Sequence, residues 1–212
     1  DAAELLTLGP GPEGIAFDAA GNLYTGLVDG RILRADLNGN ISTFADTGGR
    51  PLGMNFDAGG NLIVADAKKG LLSIDSGGAV IILTDSVDGE RMIFVDDLAI
   101  GRDGMIYFSD ASAKYDRHNL MTDLIEHRPH GLLLRYNPSD KTTTILMRDL
   151  YFANGIAVSP DNTFVLVVET TAYRVRKVWL DPAHEPRSEI IIDNLPGMPD
   201  GISTGGEGRF WA

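Results

Sequence analysis

One strand-turn-strand motif recurs along this chain, with four complete copies and a fifth that begins near residue 199. Each copy joins a short apolar segment, a turn rich in Gly, Asn or Asp, and a second segment rich in β-branched and aromatic residues. The chain must therefore fold as an array of similar units. The copies are PEGIAFDAAGNLYTG (12–26), PLGMNFDAGGNLIVAD (51–66), VDDLAIGRDGMIYFSD (95–110), ANGIAVSPDNTFVLVVE (153–169) and PDGISTGGEGRFWA (199–212).

The spacing of the copies predicts the architecture. Their starts lie 39, 44, 58 and 46 residues apart, a period typical of β-propeller blades with four antiparallel strands each. Two further strands are predicted after each motif, and long amphipathic helices are absent. We predict an all-β chain with a single domain. Its blades are expected at 12–47, 51–86, 92–149 and 151–194, with a truncated fifth at 198–212.

The third blade contains an insertion, 111–131. Asn119 or Thr122 could cap a short helix over 120–125, with Pro129 beyond its end. Insertions in repeat proteins often emerge on the binding face. The insertion is therefore a candidate lid or substrate wall, with a plain surface loop as the alternative.

The fifth copy stops at Ala212 after two strands. An open array would expose a sheet edge and the apolar face of a blade, and both are costly. We expect the natural protein to continue beyond this residue. Residues 4–8 (ELLTL) are expected to add a strand to the final blade.

Composition excludes several classes of partner. A net charge of −12 argues against nucleic acids and anionic membrane surfaces, which require a basic footprint. The absence of cysteine removes disulfides, thiolate metal sites and cysteine nucleophiles. No apolar run is long enough to cross a membrane. The compartment stays open, with a periplasmic or secreted location favoured over the cytoplasm, and the oligomeric state is not indicated.

One position of the repeat carries oxygen ligands in four of five copies. The innermost strand of each blade lines the central channel, so equivalent positions form a ring around the axis. Three carboxylates and an amide would suit Ca²⁺ best, with Mn²⁺, Mg²⁺ or Zn²⁺ as alternatives. Asp and Asn are also common turn residues, but one copy has Leu there, so the fold does not require a polar side chain. The residues at this position are Glu13, Leu52, Asp96, Asn154 and Asp200.

Several motifs resemble a known family of propellers. GPEG, VDDLAI, IYFSDASAKYDR, GLLLRYNPSDKTTTIL, FANGIAVSPDNTFVLVVETTAYRV and LPGMPDGI are similar to the calcium-dependent lactonase propellers called gluconolactonases or senescence-marker proteins. They resemble even more closely the strictosidine synthase-like branch, which includes adipocyte plasma membrane-associated protein. The resemblance implies a six-bladed propeller, of which this chain would supply about four and a half blades.

The same resemblance implies a metal site. Metal-dependent members hold a catalytic calcium with one Glu, two Asn and one Asp. Glu13, Asn154 and Asp200 match that pattern, whereas Asp96 stands where Asn is usual. Asp keeps an oxygen ligand and adds a negative charge, so metal binding is expected to survive with altered affinity.

The leading functional hypothesis is hydrolysis of a small lactone or ester. The metal would polarise the carbonyl, and Asp200, by family resemblance, would activate water. The alternatives are a metal-free condensing enzyme of the strictosidine synthase type and a non-catalytic binding module with structural calcium. The four histidines match no catalytic motif. Asp66, Asp110 and Glu169, which end second strands, are interpreted as turn and inter-blade hydrogen-bonding groups.

Overall fold

The computed structural model describes residues 10–205 and 208–212. The chain is all-β, and its described part contains four antiparallel sheets, each with four strands in sequential order. The proposed strand over residues 4–8 lies outside the described residues. No helix in the described ranges is long and apolar enough to span a membrane.

The strands follow the predicted order within each sheet. The first sheet contains β1 (Ile15–Phe17), β2 (Leu23–Gly26), β3 (Arg31–Ala35) and β4 (Ile41–Asp46), and the second β5 (Pro51–Phe56), β6 (Leu62–Asp66), β7 (Gly70–Ile74) and β8 (Val80–Thr84). A hairpin, β9 (Ser86–Val87) and β10 (Glu90–Arg91), precedes the third sheet. That sheet contains β11 (Val95–Ile100), β12 (Ile106–Asp110), β13 (Gly131–Asn137) and β14 (Thr142–Leu150). The fourth contains β15 (Ala153–Val158), β16 (Phe164–Glu169), β17 (Arg174–Trp179) and β18 (Ser188–Ile192), and the short pair β19 (Ser203–Thr204) and β20 (Phe210–Trp211) follows.

The hydrophobic core lies between neighbouring sheets, which pack face to face. Ile32 and Val64 belong to the layer between the first and second sheets, and Leu71 and Phe108 to the layer between the second and third. Strands of the middle sheets are therefore buried on both faces, and every residue of β6 and β12 is buried, including the Asp at the end of each.

The turn after each innermost strand is held by side chains that the repeat supplies. In the first sheet Asp18 Oδ1 accepts the backbone N–H groups of Ala20 and Asn22, and Asn22 Nδ2 donates to Asp18 Oδ2. Asp57 and Asn61 repeat the arrangement in the second sheet. These side-chain bonds replace missing backbone partners and make a tight turn between two strands.

The three innermost strands β5, β11 and β15 share an irregularity that the sequence does not reveal. Each gains one residue relative to its partner strand between its first and fourth positions, which is the definition of a β-bulge. The bulged pairs are Leu52–Gly53, Asp96–Asp97 and Asn154–Gly155. A bulge redirects side chains, so in these strands it changes the direction of the side chain at the recurrent polar position.

The insertion folds into a 3-10 turn, Arg117–Asn119, followed by α1 (Leu120–Glu126). Asn119, one of the two predicted caps, is the N-cap residue of α1, but its side chain makes no capping hydrogen bond, and Thr122 lies inside the helix. Asp116 caps the preceding 3-10 turn, because its Oδ1 accepts the N–H of Asn119 at 3.1 Å. Leu120 and Leu124 pack on an apolar cluster at the end of the innermost strands.

Carboxylates at the ends of three second strands hold the start of the innermost strand in the same sheet. Asp66 Oδ1 accepts the N–H of Arg50 at 2.9 Å, and Asp110 Oδ1 accepts that of Phe94 at 2.9 Å. Glu169 Oε2 accepts the N–H of Tyr151 at 3.0 Å. The interpretation of these groups as turn and inter-blade links is confirmed for Asp66, which also accepts hydrogen bonds from Thr47 Oγ1, at the end of the predicted first blade, and from the N–H groups of Lys68 and Lys69 in the following turn. The bonds of Asp110 and Glu169 to Phe94 and Tyr151 lie within one blade. They tie each bulge to its neighbouring strand.

Asp110 is the most costly of these anchors. Its side chain is buried, and its Oδ2 has no hydrogen-bond partner among the described residues. Burial raises the pKa of Asp110 to about 7, against the opposing effect of the backbone N–H groups that it accepts.

Replacing Asp110 with Asn is expected to remove one source of pH-dependent stability. Since the folded-state pKa lies above the ordinary value, the folded protein holds this proton more tightly than the unfolded chain does. Stability therefore falls as pH rises from about 4 to about 7. Near pH 8 the Asn variant should exceed the wild type in free energy of unfolding by about 1–3 kcal/mol, with the gap closing towards about pH 4. Urea unfolding measures this difference, and an equal gap at both pH values would contradict the assignment.

Candidate functional site

The innermost strands β1, β5, β11 and β15 line a cavity of about 1120 Å³ along the axis of the sheets. All four predicted ligands border it, although they are far apart in sequence. Asp96 and Asn154 are buried, whereas Asp200 is exposed and Glu13 is 39% exposed. The residues that line one end of the cavity include Glu13, Asp96, Asn154 and Asp200.

Leu52, the apolar member of the ring, does not line this cavity. It is 3% exposed and packs with Phe94 and Phe152 beneath α1. The rings of Phe94 and Phe152 meet edge to face at 5.4 Å. The second blade therefore contributes packing at the position where the other blades contribute oxygen atoms.

Asp96 has a strongly raised pKa in this site. Burial raises its pKa well above the ordinary value, and the negative charges of Asp97, Asp200 and Glu13 raise it further. The charge of Arg117 in the insertion acts in the opposite direction. Three acidic side chains therefore interact with Asp96 across one cavity, which a bound cation would relieve.

The other predicted ligands have partners within the protein. Glu13 Oε2 accepts a hydrogen bond from Arg50 Nη2 at 2.7 Å, and Arg50 Nη1 donates to the carbonyl of Gly11 at 2.9 Å. Asn154 Nδ2 donates to Asp200 Oδ1 at 2.6 Å. The hydrogen bond fixes the amide orientation and links the fourth blade to the segment after it.

The donor set fits a hard divalent cation, since it consists of carboxylate and amide oxygens. Within the described ranges no group of three or more His, Asp or Glu side chains is spaced as a preformed metal site. The Glu13 carboxylate forms an ion pair with Arg50. The four residues therefore share a cavity but do not form a complete metal site. Small side-chain movements would be needed for all four to reach one ion.

Asp97 is a functional candidate that sequence reasoning missed. It lines the cavity, and its Oδ2 accepts the N–H of Ile156 at 2.8 Å, which joins β11 to β15. Burial raises its pKa to about 6, and the charge of Asp200 also raises it, while the N–H groups of Ile156 and Leu98 lower it. The sequence does contain one sign of it: the other four copies of the repeat have Gly immediately after the ring position, whereas the third copy has Asp97.

The glycines at this second position permit close contact between innermost strands. A Cβ on Gly53 would collide with Oδ1 and the backbone of Asp97, and one on Gly155 would lie 2.7 Å from the carbonyl oxygen of Asp200. The N–H of Gly155 donates to that carbonyl at 3.0 Å. Close strand contact thus brings the ligand positions together.

Other sequence candidates lie elsewhere. None of the four histidines, all within the described ranges, lines the central cavity, and neither does any residue of 111–131. The lid or substrate wall therefore stays a prediction: Leu120 and Leu124 of the insertion pack on the Leu52 cluster beside this cavity. Trp211 borders the cavity and is 65% exposed.

Comparison with known proteins supports one family. The model described as strictosidine synthase matches residues 96–183, and the model described as strictosidine synthase-like, N-terminal, matches residues 1–35. Protein strictosidine synthase-like 4 of Arabidopsis thaliana is 42% identical over 207 residues, covering 94% of this chain and 55% of that protein. Adipocyte plasma membrane-associated protein of Mus musculus is 36% identical over 219 residues, covering 95% and 52%.

The chain belongs to the strictosidine synthase-like family. It spans about half the length of these curated relatives. A gluconolactonase structure from Xanthomonas campestris superposes with a TM-score of 0.80 at 22% identity, covering 98% of this chain and 71% of that one. A calcium-binding regucalcin from Agrobacterium tumefaciens gives 0.73 at 21% identity, covering 94% and 66%. These likenesses support the propeller-like, all-β fold.

Replacing Asp96 with Asn is expected to stabilise the protein in a chelator. The substitution removes a buried carboxyl group that three acidic neighbours oppose, so near pH 8 the metal-free variant should gain about 1–3 kcal/mol in free energy of unfolding. If Asp96 is a ligand of a bound calcium ion, the loss of its charge should make calcium raise the melting temperature of the variant less than that of the wild type.

Thermal unfolding in EDTA and in calcium measures both effects. Exposed Asp103→Asn is the matched control, since it removes one carboxylate outside the ligand ring. An Asp96→Asn variant that is less stable than the wild type in EDTA would contradict the electrostatic account.

Proposed function

We propose that this chain carries the metal-binding part of a calcium-dependent hydrolase that acts on small lactones or esters. The observation that most directly supports this proposal is that Glu13, Asp96, Asn154 and Asp200 border one axial cavity. Burial and acidic neighbours raise the pKa of Asp96 there. A gluconolactonase and a calcium-binding regucalcin share the fold, which is consistent with this reading. Since the chain spans about half of its curated relatives, the substrate specificity of the whole protein belongs to the proposal.

The ligand set would consist of Glu13, Asp96, Asn154 and Asp200. When bound, a calcium ion would act as a Lewis acid towards the substrate carbonyl oxygen. Arg50 would hold the Glu13 carboxylate in place through its 2.7 Å contact. Asp97 would hold β11 against β15 through its bond to Ile156. These contacts limit how far the ligands can move.

Asp200 is proposed as the general base. Its Oδ1 accepts from Asn154 Nδ2, and its Oδ2 accepts no hydrogen bond within the described part of the chain. Asp200 would take a proton from the attacking water as the new carbon–oxygen bond forms. The bond to the leaving alkoxide then breaks, and the proton passes from Asp200 to that oxygen.

Two other functions remain in competition with hydrolysis. The strictosidine synthase model and the names of the curated relatives favour a condensing enzyme, which would need no metal. A propeller can also serve as a binding platform, since fold does not define activity. Condensing activity that persists in chelator would support the first, and calcium-dependent stability without turnover across a lactone and aryl-ester panel would support the second.

Asp200→Asn is expected to lower kcat for lactone or aryl-ester hydrolysis by about 10²- to 10⁴-fold, because the amide cannot accept the proton from water. Initial rates in calcium-containing buffer measure the effect. Asp193→Asn is the matched control, since Asp193 is exposed and lies outside the cavity. Removing calcium with EDTA should abolish hydrolysis in the wild type, and re-addition should restore it. Full activity of Asp200→Asn would overturn its assignment as the base.

A further inference from the structure

A second cavity of about 300 Å³ lies beside the insertion, and four of its eight lining residues are basic. It is built by the segment after β6, the segment before β11 and the 3-10 turn of the insertion. The basic pocket is defined by Lys68, Arg91, Arg117 and His118, with Asp116 and the apolar side chains of Ala67, Met92 and Ile93.

The cationic side chains of the basic pocket form no ion pairs with carboxylates among the described residues. Among the described residues Lys68, Arg91 and Arg117 form no ion pair, and only Arg91 uses its side chain in a hydrogen bond, from Nη2 to the carbonyl of Lys68 at 3.1 Å. The single acidic lining residue, Asp116, instead accepts from the backbone and side chain of Asn119. Three guanidinium or ammonium groups are therefore available to one ligand.

This concentration of positive charge is unusual for the molecule. The chain carries a net charge of −12, so its long-range field repels anions, and any anion that binds must be held by local contacts. Guanidinium and ammonium groups recognise carboxylate and phosphate oxygens through charge-assisted hydrogen bonds. The partly exposed Ile93 would contact the short carbon chain that carries such a group, over the buried Ala67 and Met92.

The basic pocket lies at the same end of the sheets as the candidate metal ligands. Ile93 and Asp96 are separated by two residues at the start of β11. Arg117 borders the pocket, and its charge also acts on Asp96. The two cavities share no lining residue, so one substrate would have to extend from the carboxylates to the pocket along this end of the sheets.

We propose that the basic pocket is an oxyanion subsite, in which Lys68, Arg91 and Arg117 hold a carboxylate or phosphate group of the substrate. The substrate class is then a lactone or ester with an anionic group on a short aliphatic arm. This inference rests on the proposed hydrolase for the identity of the reacting group, and it adds a site that the hydrolysis itself does not require.

Anion binding is tested directly, without turnover. Inorganic phosphate and, separately, acetate are titrated into the whole chain at low ionic strength, with calorimetry and the backbone amide shifts of Ala67 and Met92 as readouts. Lys68→Gln and Arg117→Gln should each weaken binding about tenfold, because each removes one charge-assisted hydrogen bond. The stronger of the two probes shows whether the pocket favours phosphate or carboxylate.

Matched controls separate a site from a diffuse charge effect. Lys141→Gln and Arg128→Gln make the same charge changes on exposed residues outside the pocket, and Arg128 lies in the same insertion. Both should leave anion affinity within about twofold of the wild type, since no contact is removed. Absence of binding by the wild type, or equal weakening by the controls, would overturn the proposal.

Substrate recognition is tested with two aryl esters of equal length, one ending in a carboxylate and one in a carboxamide. Lys68→Gln should raise the ratio of KM for the carboxylate ester to KM for the carboxamide ester about tenfold. Lys141→Gln should leave the ratio unchanged. An unchanged ratio in Lys68→Gln would overturn the subsite. Localised phosphate binding without hydrolysis of either ester would support the anion site and overturn the proposed hydrolase.

Discussion

The fixed start of each innermost strand is the constraint on which the candidate site depends. Asp66, Asp110 and Glu169 each end a second strand and accept the N–H that precedes a bulged pair. In the first sheet, backbone atoms make the equivalent link, because the N–H of Glu13 donates to the carbonyl of Gly26 at 3.2 Å. In the second, third and fourth sheets the bulge that follows redirects the next side chains, so the anchored strand start helps to set the directions of Leu52, Asp96 and Asn154.

The site concentrates acidic groups where burial makes them expensive. Asp96 and Asp97 have raised pKa values because burial disfavours their charged forms, and their acidic neighbours increase the effect. Arg50 offsets one of these charges by pairing with Glu13 at 2.7 Å. An apolar residue such as Leu52 satisfies the same backbone position without that cost. The acidic ring is therefore a departure from the stability optimum, which is typical of functional positions.

Sequence periodicity predicted the strands and their order well, because turn chemistry and β-branched composition act locally. It also predicted that Glu13, Asp96, Asn154 and Asp200 border one cavity, because equivalent repeat positions must lie around an axis. The bulges escaped prediction, since they depend on register with a partner strand. Asp97 was missed for a related reason. Its role depends on accepting the N–H of Ile156 in the neighbouring sheet, and no local sequence pattern indicates that contact.

The apolar exception at Leu52 explains where the insertion can pack. Leu120 and Leu124 need a hydrophobic surface, and the Leu52, Phe94 and Phe152 cluster provides one at this end of the sheets. Packing there keeps α1 away from the carboxylates, whose cavity no residue of 111–131 borders. The 3-10 turn before α1 nevertheless brings the charge of Arg117 within electrostatic range of Asp96. Leu52, the apolar residue at the ring position, is therefore part of the surface on which the insertion packs. The insertion in turn places the charge of Arg117 near Asp96 without covering the acidic cavity.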